Sequence, residues 1–369
     1  MHQSRGLMKN TPASQDRLSL IERARQAVLV DGHVGTPWVH DWISNSWRRC
    51  IDQGMQAEHS VDFNPVSASH TKQTLDQNHG LIQAAKPELE RVGRAIAGTQ
   101  FFALITNAQG VLLDVGGAID RHDKRVTSIA RVGVDLSEKA VGTTAISAAL
   151  IEQRPVWLHR SEHFFNDTSV YSCAGAPLWG SHGECIGMLD LTGVQTAERP
   201  ELMHLAALSA RSISNALLLA QAHHLLLRLN WPGRLMGDDN DGLVLLGREG
   251  DILGANPWAR DMLNLQHHPA AHASDVFALP WGLLFDAAVS GQPLDVPLWS
   301  GLQLQAMACL QQACAFEKTT TPTGPLQQLQ TAMISKAIEH ARGNVAQAAK
   351  ALGISRATLY RKLSRKTAH

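Results

Sequence analysis

The segment GNVAQAAKALGISRATLYRKLSRK (343–366) constrains the chain most. Val345, Ala348, Ala349 and Leu352 recur at the spacing of one helix face, and Asn344 suits the N-cap before them. Gly353 supplies a tight turn. Ser355 then caps a further helix on which Leu359 and Leu363 share a face. Two short helices joined through a glycine turn form the helix-turn-helix pattern. Leu326, Leu329, Met333, Ala337, Ile338 and Ala341 mark an amphipathic helix just upstream.

Charge supports this reading. The whole chain is neutral, with 33 basic and 33 acidic residues, but 324–369 holds eight basic residues against one acid, a net +7. A basic segment on an acidic body is an electrostatic mark of nucleic-acid binding. On the last helix Ala357, Arg361 and Ser364 lie opposite Leu359. Arg361 is placed to read guanine, and Arg356, Lys362, Arg365 and Lys366 are placed for phosphates. The expected DNA-binding set is Asn344, Ser355, Arg356, Ala357, Thr358, Tyr360, Arg361, Lys362, Arg365 and Lys366, with double-stranded DNA as partner. A basic helical hairpin used only for packing is the competing reading. It accounts for the charge but not for the agreement of caps and turn.

Ahead of this module the chain changes texture twice. Residues 1–95 read as helices with polar joints. FFALITNAQGVLLDVGG (101–117) is two apolar runs around Asn107–Gly110, a hairpin signal. A helix is expected at 138–152, then strands at 154–159, 172–179 and 184–193, the last two flanking the turn GSHG. The apolar run 202–229 predicts one long helix, a natural lever between sensor and output. DGLVLLGREGDILGANPWARDML (241–263) predicts strand, turn, strand and a helix opening at Asn256-Pro257, and 301–310 a closing strand. The expected class is α+β and multidomain: a helical region 1–95, a sensor sheet 96–225, a smaller unit 236–316, a linker 317–324 and the all-α module 325–369.

Five scattered cysteines, Cys50, Cys173, Cys185, Cys309 and Cys314, include no C-x-x-C and point to a reducing cytoplasm. Cys173 and Cys185, on successive strands, are a candidate redox pair. His159, Glu162 and His163 in HRSEH resemble a metal set only if helical, whereas the preceding PVW reads as strand into loop; no metal or cofactor is expected. No stretch of about 18 uninterrupted apolar residues predicts a membrane span. No nucleophile elbow and no Gly-Lys pair occur in the 369 residues, so the sequence contains no P-loop and no catalytic residue is assigned.

Three stretches, SWRRCIDQG (46–54), AVGTTAISAALIEQRPVWLHRSEHF (140–164) and SCAGAPLWGSHGECIGMLDLTG (172–193), resemble the sensory region of the acetoin-catabolism regulator family, with VGTT where VGTN is usual. The terminal module resembles the Fis-type helix-turn-helix of that lineage, and 242–263 is similar to the opening of a PAS domain. The resemblance implies a GAF-like antiparallel sensor and a homodimer through the Leu326–Ala341 helix, to which the 200–229 helix is a candidate contributor. It also implies a small-molecule effector, covered by a segment carrying His163, Phe164, Tyr171 and Cys173, although aromatic core and a buried thiol would explain the same residues. Full-length relatives carry an ATPase between sensor and tail; this chain does not. The expected function is a ligand-responsive, DNA-binding transcriptional regulator without ATP hydrolysis, controlling catabolism of an acetoin-, diol-, alcohol- or phenol-like compound, with RNA polymerase as a further partner. The alternative is a DNA-binding co-regulator or architectural protein whose sensor part only oligomerises.

Overall fold

A computed structural model describes residues 12–237, 239–266 and 270–311. The chain divides into two units, Met1–Cys309 and Leu310–His369. The DNA-binding set and the Leu326–Ala341 helix lie outside the described residues, as do His267 and His268.

The first unit opens with helices α1 (Pro12–Arg25), α2 (Asp41–Asp52), α3 (Ala68–Gln77) and α4 (His79–Ala95), with a π-helical turn at Gln26–Val30. Strands β1 (Phe101–Asn107) and β2 (Leu112–Gly116) follow, closed where the Asn107 side chain accepts from the backbone N–H groups of Gln109 (3.0 Å) and Val111 (2.9 Å). That side-chain turn is the reason an Asn-led loop makes a hairpin here. Next come α5 (Lys124–Ile129), α6 (Glu138–Val141), α7 (Ala145–Glu152), β3 (Val156–His159), β4 (Tyr171–Trp179) and β5 (Cys185–Val194). The five strands form one antiparallel sheet in the order β2-β1-β5-β4-β3.

Both faces of this sheet are covered, so β1 is buried at every position. Phe102 and Leu104 face a core built with Ile43 and Trp47 of α2, whereas Phe101, Ala103 and Ile105 face the second core, with α4 and α8 (Leu202–Leu219). Helical cover on both sides explains why the strands read as continuous apolar runs and not as alternation.

A second sheet follows α8. It contains β6 (Leu225–Asn230), β7 (Gly242–Leu246), β8 (Ile252–Ala255), β9 (Leu294–Pro297) and β10 (Gln303–Leu310), ordered β8-β7-β6-β10-β9, with α9 (Pro257–Met262) and α10 (Gly282–Ser290) in the connections. Asn256 caps α9, its side chain accepting from Ala259 N–H at 2.9 Å, with Pro257 in the first turn.

Two expectations are corrected. The helix expected over 202–229 ends at Leu219, and LLLRLN (225–230) is instead the middle strand of the second sheet. A short buried apolar run fits helix or strand equally by periodicity, and here pairing with β7, Leu227 opposite Val244, decides it. The long lever through 229 therefore does not exist; α8 packs one face on β4 and α4. The helix expected over 138–152 is broken at Gly142, whose φ of 67° and ψ of −154° suit only glycine. Thr144 then caps α7 in a reciprocal pair with Ser147, so the VGTT variant retains a capping side chain.

Candidate functional site

The three sequence stretches that looked most distinctive converge on one region of the first sheet. In α2, Arg49 donates two hydrogen bonds to Glu138 (2.8 and 2.9 Å), and Ser46 bonds both Glu138 and Thr143 (2.7 Å each). Trp47, fully buried, donates from its indole N–H to the Glu162 carbonyl at 2.9 Å. Arg25, itself 8% exposed, donates to the carbonyls of His163 (2.7 Å) and Ser161 (3.2 Å) and to Asn166 (2.8 Å), and its guanidinium lies 5.8 Å from the Trp47 ring. The helices before the sheet thus hold the 161–166 segment by its backbone.

Glu162 is buried. It accepts from His159 N–H at 2.7 Å and pairs with Arg17. Burial pushes its carboxyl up to about 7 despite the Arg17 partner. His159 Nδ1 is 2.9 Å from the Ser172 hydroxyl. Burial holds both His159 and His163 down at about 4, so both are neutral at pH 7. Among the described residues no group of His, Cys, Asp and Glu is arranged to hold a metal.

Inside this frame lies a small cavity of about 10 Å3, room for roughly one water. Its apolar wall includes Phe63, Ile129, Leu136, Ala145 and Ile146, and its polar groups come from His163, Cys173, Asp190 and Thr192, with Tyr171 at the edge. Strand register explains the set. Cys173 pairs with Thr192 and Gly175 with Asp190, which places these alternate residues on one face. At Gly175 a Cβ would fall 2.7 Å from the Ala145 carbonyl oxygen, so glycine is what lets α7 close on the strand.

Two polar atoms in this wall have no partner. His163 Nδ1 is 2.8 Å from the Arg160 carbonyl, an acceptor only, so Nδ1 carries the proton and Nε2 presents a lone pair. That Nε2 is unbonded, as is Asp190 Oδ1. The other Asp190 oxygen accepts from Thr192, whose oxygen lies 3.5 Å from the Cys173 sulfur. Asp190 is fully buried, and burial raises its carboxyl to about 7 against the opposing Thr192 hydrogen bond.

Of the expected ligand residues, His163, Tyr171 and Cys173 line the cavity. Phe164 does not; it is buried edge-to-face against Phe165, ring centres 5.0 Å apart. Tyr171 donates to the Arg125 carbonyl (3.0 Å) and meets Phe63 edge-on. Asp190 was missed. Its signal was an acid inside the apolar run GMLDLTG, where a both-faces-buried strand has no solvent for it. Cys173 and Cys185 are not neighbours: Cys173 faces Thr192, and Cys185 stands seven residues back along β5, about 24 Å away. A disulfide needs Cα atoms within about 7 Å. Diamide treatment of the folded chain is expected to leave this pair uncrosslinked, as peptide mapping would report.

Comparison with known proteins gives the family. Residues 325–365 match the family described as bacterial regulatory protein, Fis family, and residues 19–215 match MimR, N-terminal domain. The class is that of a regulatory protein with a Fis-type helix-turn-helix. The chain belongs to the MimR N-terminal domain family, whose match covers more than half of it. It is 28% identical over 252 residues to the acetoin catabolism regulatory protein of Cupriavidus necator, covering 66% of this chain and 37% of that one. It is also 28% identical over 199 residues to MimR, the propane 2-monooxygenase operon transcriptional activator of Mycolicibacterium smegmatis, covering 53% and 33%. The chain thus spans little more than a third of these relatives' lengths. A solved structure, the E. coli DhaR(N)–DhaL complex, is similar with a TM-score of 0.46 and 16% identity, over 73% of this chain and 99% of that one.

Proposed function

We propose that the protein is a ligand-responsive, sequence-specific DNA-binding regulator of a catabolic operon, acting on transcription without ATP hydrolysis. The observation that carries this reading is one chain joining a Fis-family segment to a domain with a small cavity, two of whose lining residues keep a buried polar atom unpaired. The relatives' names, an acetoin catabolism regulator and a propane 2-monooxygenase operon activator, support control of small-molecule catabolism. Without a P-loop in the sequence, regulation proceeds by occupancy of DNA, through recruitment of polymerase or occlusion.

Coupling follows from packing. An effector shifts an equilibrium only if it binds two arrangements unequally. β4 carries Tyr171 and Cys173 on the cavity and supports α8. In α8, Asn215 accepts from Asn256 (3.0 Å), the residue that caps α9 at the second sheet. A shift of β4 thus has a hydrogen-bonded route into the second sheet. Dimerisation through the Leu326–Ala341 helix supplies the paired half-sites of a two-fold operator.

The test is genome-wide mapping of bound DNA with and without candidate effectors, followed by titration on the sites found. Arg361→Ala is expected to cost about 1–3 kcal/mol of discrimination at one position per half-site. Lys362→Ala should weaken all sequences alike and lower the salt slope by about one. Salt slopes and base preference unchanged in both variants would refute this docking.

A further inference from the structure

We propose a second binding site where the first sheet meets α8 and α9: a groove that takes a small aromatic monocarboxylate. It shares no lining residue with the cavity beside Cys173.

The groove exists because β4 outruns its neighbour. β3 pairs with β4 only as far as Val156 opposite Gly175, so Ala176 to Trp179 have β5 on one side and no paired strand on the other. Arg211, Ser214 and Asn215 share one face of α8 at helical spacing and form a second wall. Trp258 and Asp261 of α9 form the third. These walls are pinned to one another. The Ser214 hydroxyl accepts from Trp179 N–H at 2.9 Å, and Asn215 accepts from Asn256, the cap of α9, at 3.0 Å. Gln153, with φ 51°, ends α7 in the left-handed region and turns Arg154 onto the rim. The groove's volume is about 240 Å3, below the roughly 300–1,000 Å3 that holds a drug-sized ligand. One ring with a short substituent suits it.

The chemistry of the walls sets the class. The Arg211 guanidinium lies over the Trp258 ring, 4.9 Å from its centre. Asn240 takes one of its five N–H donors, and no described carboxylate forms an ion pair with it. Arg154 adds a second cation, 55% exposed and 4.0 Å from Glu152, the outer limit of an ion pair. Asp261 is the one acid in the lining, and its Oδ1 accepts from Gln266 at 2.8 Å. Two cations against one acid leave a net +1, which a single carboxylate neutralises, whereas a phosphate monoester at about −1.5 to −2 would overshoot. Arginine also matches a carboxylate with two parallel N–H bonds. The indoles of Trp179 and Trp258 offer flat apolar surface to a ring. Pro177 has no N–H, so this edge of β4 is poorly suited to an added peptide strand. A ligand held by Arg211 and Trp258 touches α8 and α9 at once and fixes one against the other.

The experiment is calorimetric titration of the full chain with benzoate, beside acetate, benzyl alcohol and inorganic phosphate, with hydrogen exchange mapped at saturation. Benzoate is expected to bind. Acetate, lacking the ring, benzyl alcohol, lacking the charge, and phosphate should each bind at least about tenfold more weakly. Exchange at 207–215 and 258–262 should slow, and exchange at 161–166 and 190–192 should not. Arg211→Gln and Trp258→Leu should each weaken benzoate at least about tenfold. Arg94→Gln, an exposed charge on α4 outside the lining, should leave binding unchanged. Arg154→Gln alters an exposed side chain, so it should weaken benzoate about threefold at an unchanged melting temperature, and it reports on the groove even where an α8 or α9 variant loses stability. No benzoate binding, equal binding of benzyl alcohol or phosphate, slowing confined to 161–166 and 190–192, or parental affinity in both arginine variants of the groove would each overturn the site.

Discussion

Trp47→Ala is expected to destabilise the first unit by about 3–5 kcal/mol, the range for deleting a large buried aromatic. Three losses combine. The side chain is fully buried among Ile43, Phe102 and their neighbours, so its removal leaves a cavity. The Glu162 carbonyl loses its indole donor, and the Arg25 guanidinium loses the ring beneath it. The consequence is local as well as global, because Trp47 and Arg25 together hold the 161–166 segment that presents His163. Hydrogen exchange at residues 161–166 should accelerate more than at β1. Trp47→Phe, which retains most of the packing and loses the N–H donor, should cost about 1–2 kcal/mol. A urea midpoint for Trp47→Ala equal to the parent's would remove the latch from the account.

Asp190→Asn is expected to stabilise the protein at pH 8 by about 4 kcal/mol and to do almost nothing near pH 4. The unfolded carboxyl titrates near its ordinary 3.8, whereas burial raises the folded one to about 7. Between those values the native state holds a proton that the unfolded state has released. Raising the pH through that window therefore favours unfolding, and above about 7 the penalty is constant. The asparagine variant has no such penalty, so its advantage grows from pH 4 to 7 and then levels. The groups facing Asp190 around the cavity are His163, Cys173 and Tyr171. Cys173 and Tyr171 are pushed up by burial, and His163 is held near 4, so none of them changes charge over most of this window. Urea titrations of both proteins at half-unit pH steps measure the difference directly. A constant difference from pH 4 to 8 would mean that Asp190 ionises normally in the folded chain.

Much of both sheets was legible because their turns carry local chemistry. Asn107 closes the first hairpin with its own side chain, GSHG makes the β4–β5 turn, and Asn256-Pro257 opens α9, each by contacts within a few residues. His163, Tyr171 and Cys173 were legible as one segment beside the cavity, but Tyr171 and Cys173 belong to β4 of the sheet itself and only His163 lies in the connection before it. LLLRLN was not legible: its identity as a strand comes from partners at 242–246 and from β10, which no local pattern announces. Gly142 was read through as helix because one glycine is tolerated in a helical pattern, and only the close packing of Phe164 and Phe165 against it fixes the break.

The sequence by itself determined the elements whose causes are local, the helix caps, the turns, the apolar faces, the charge of the terminal module and its helix-turn-helix spacing. Tertiary structure decided which polar atoms are satisfied. Asp190 and His163 are 27 residues apart, and nothing near either one reveals that both line a single cavity and that each keeps a buried polar atom unpaired. That outcome depends on the β4–β5 register, on the approach of α7 at Gly175 and on Arg25 and Trp47 holding 161–166 in place. Burial and pairing are set by contacts between distant segments, so the chemistry of the site appears only when those segments meet.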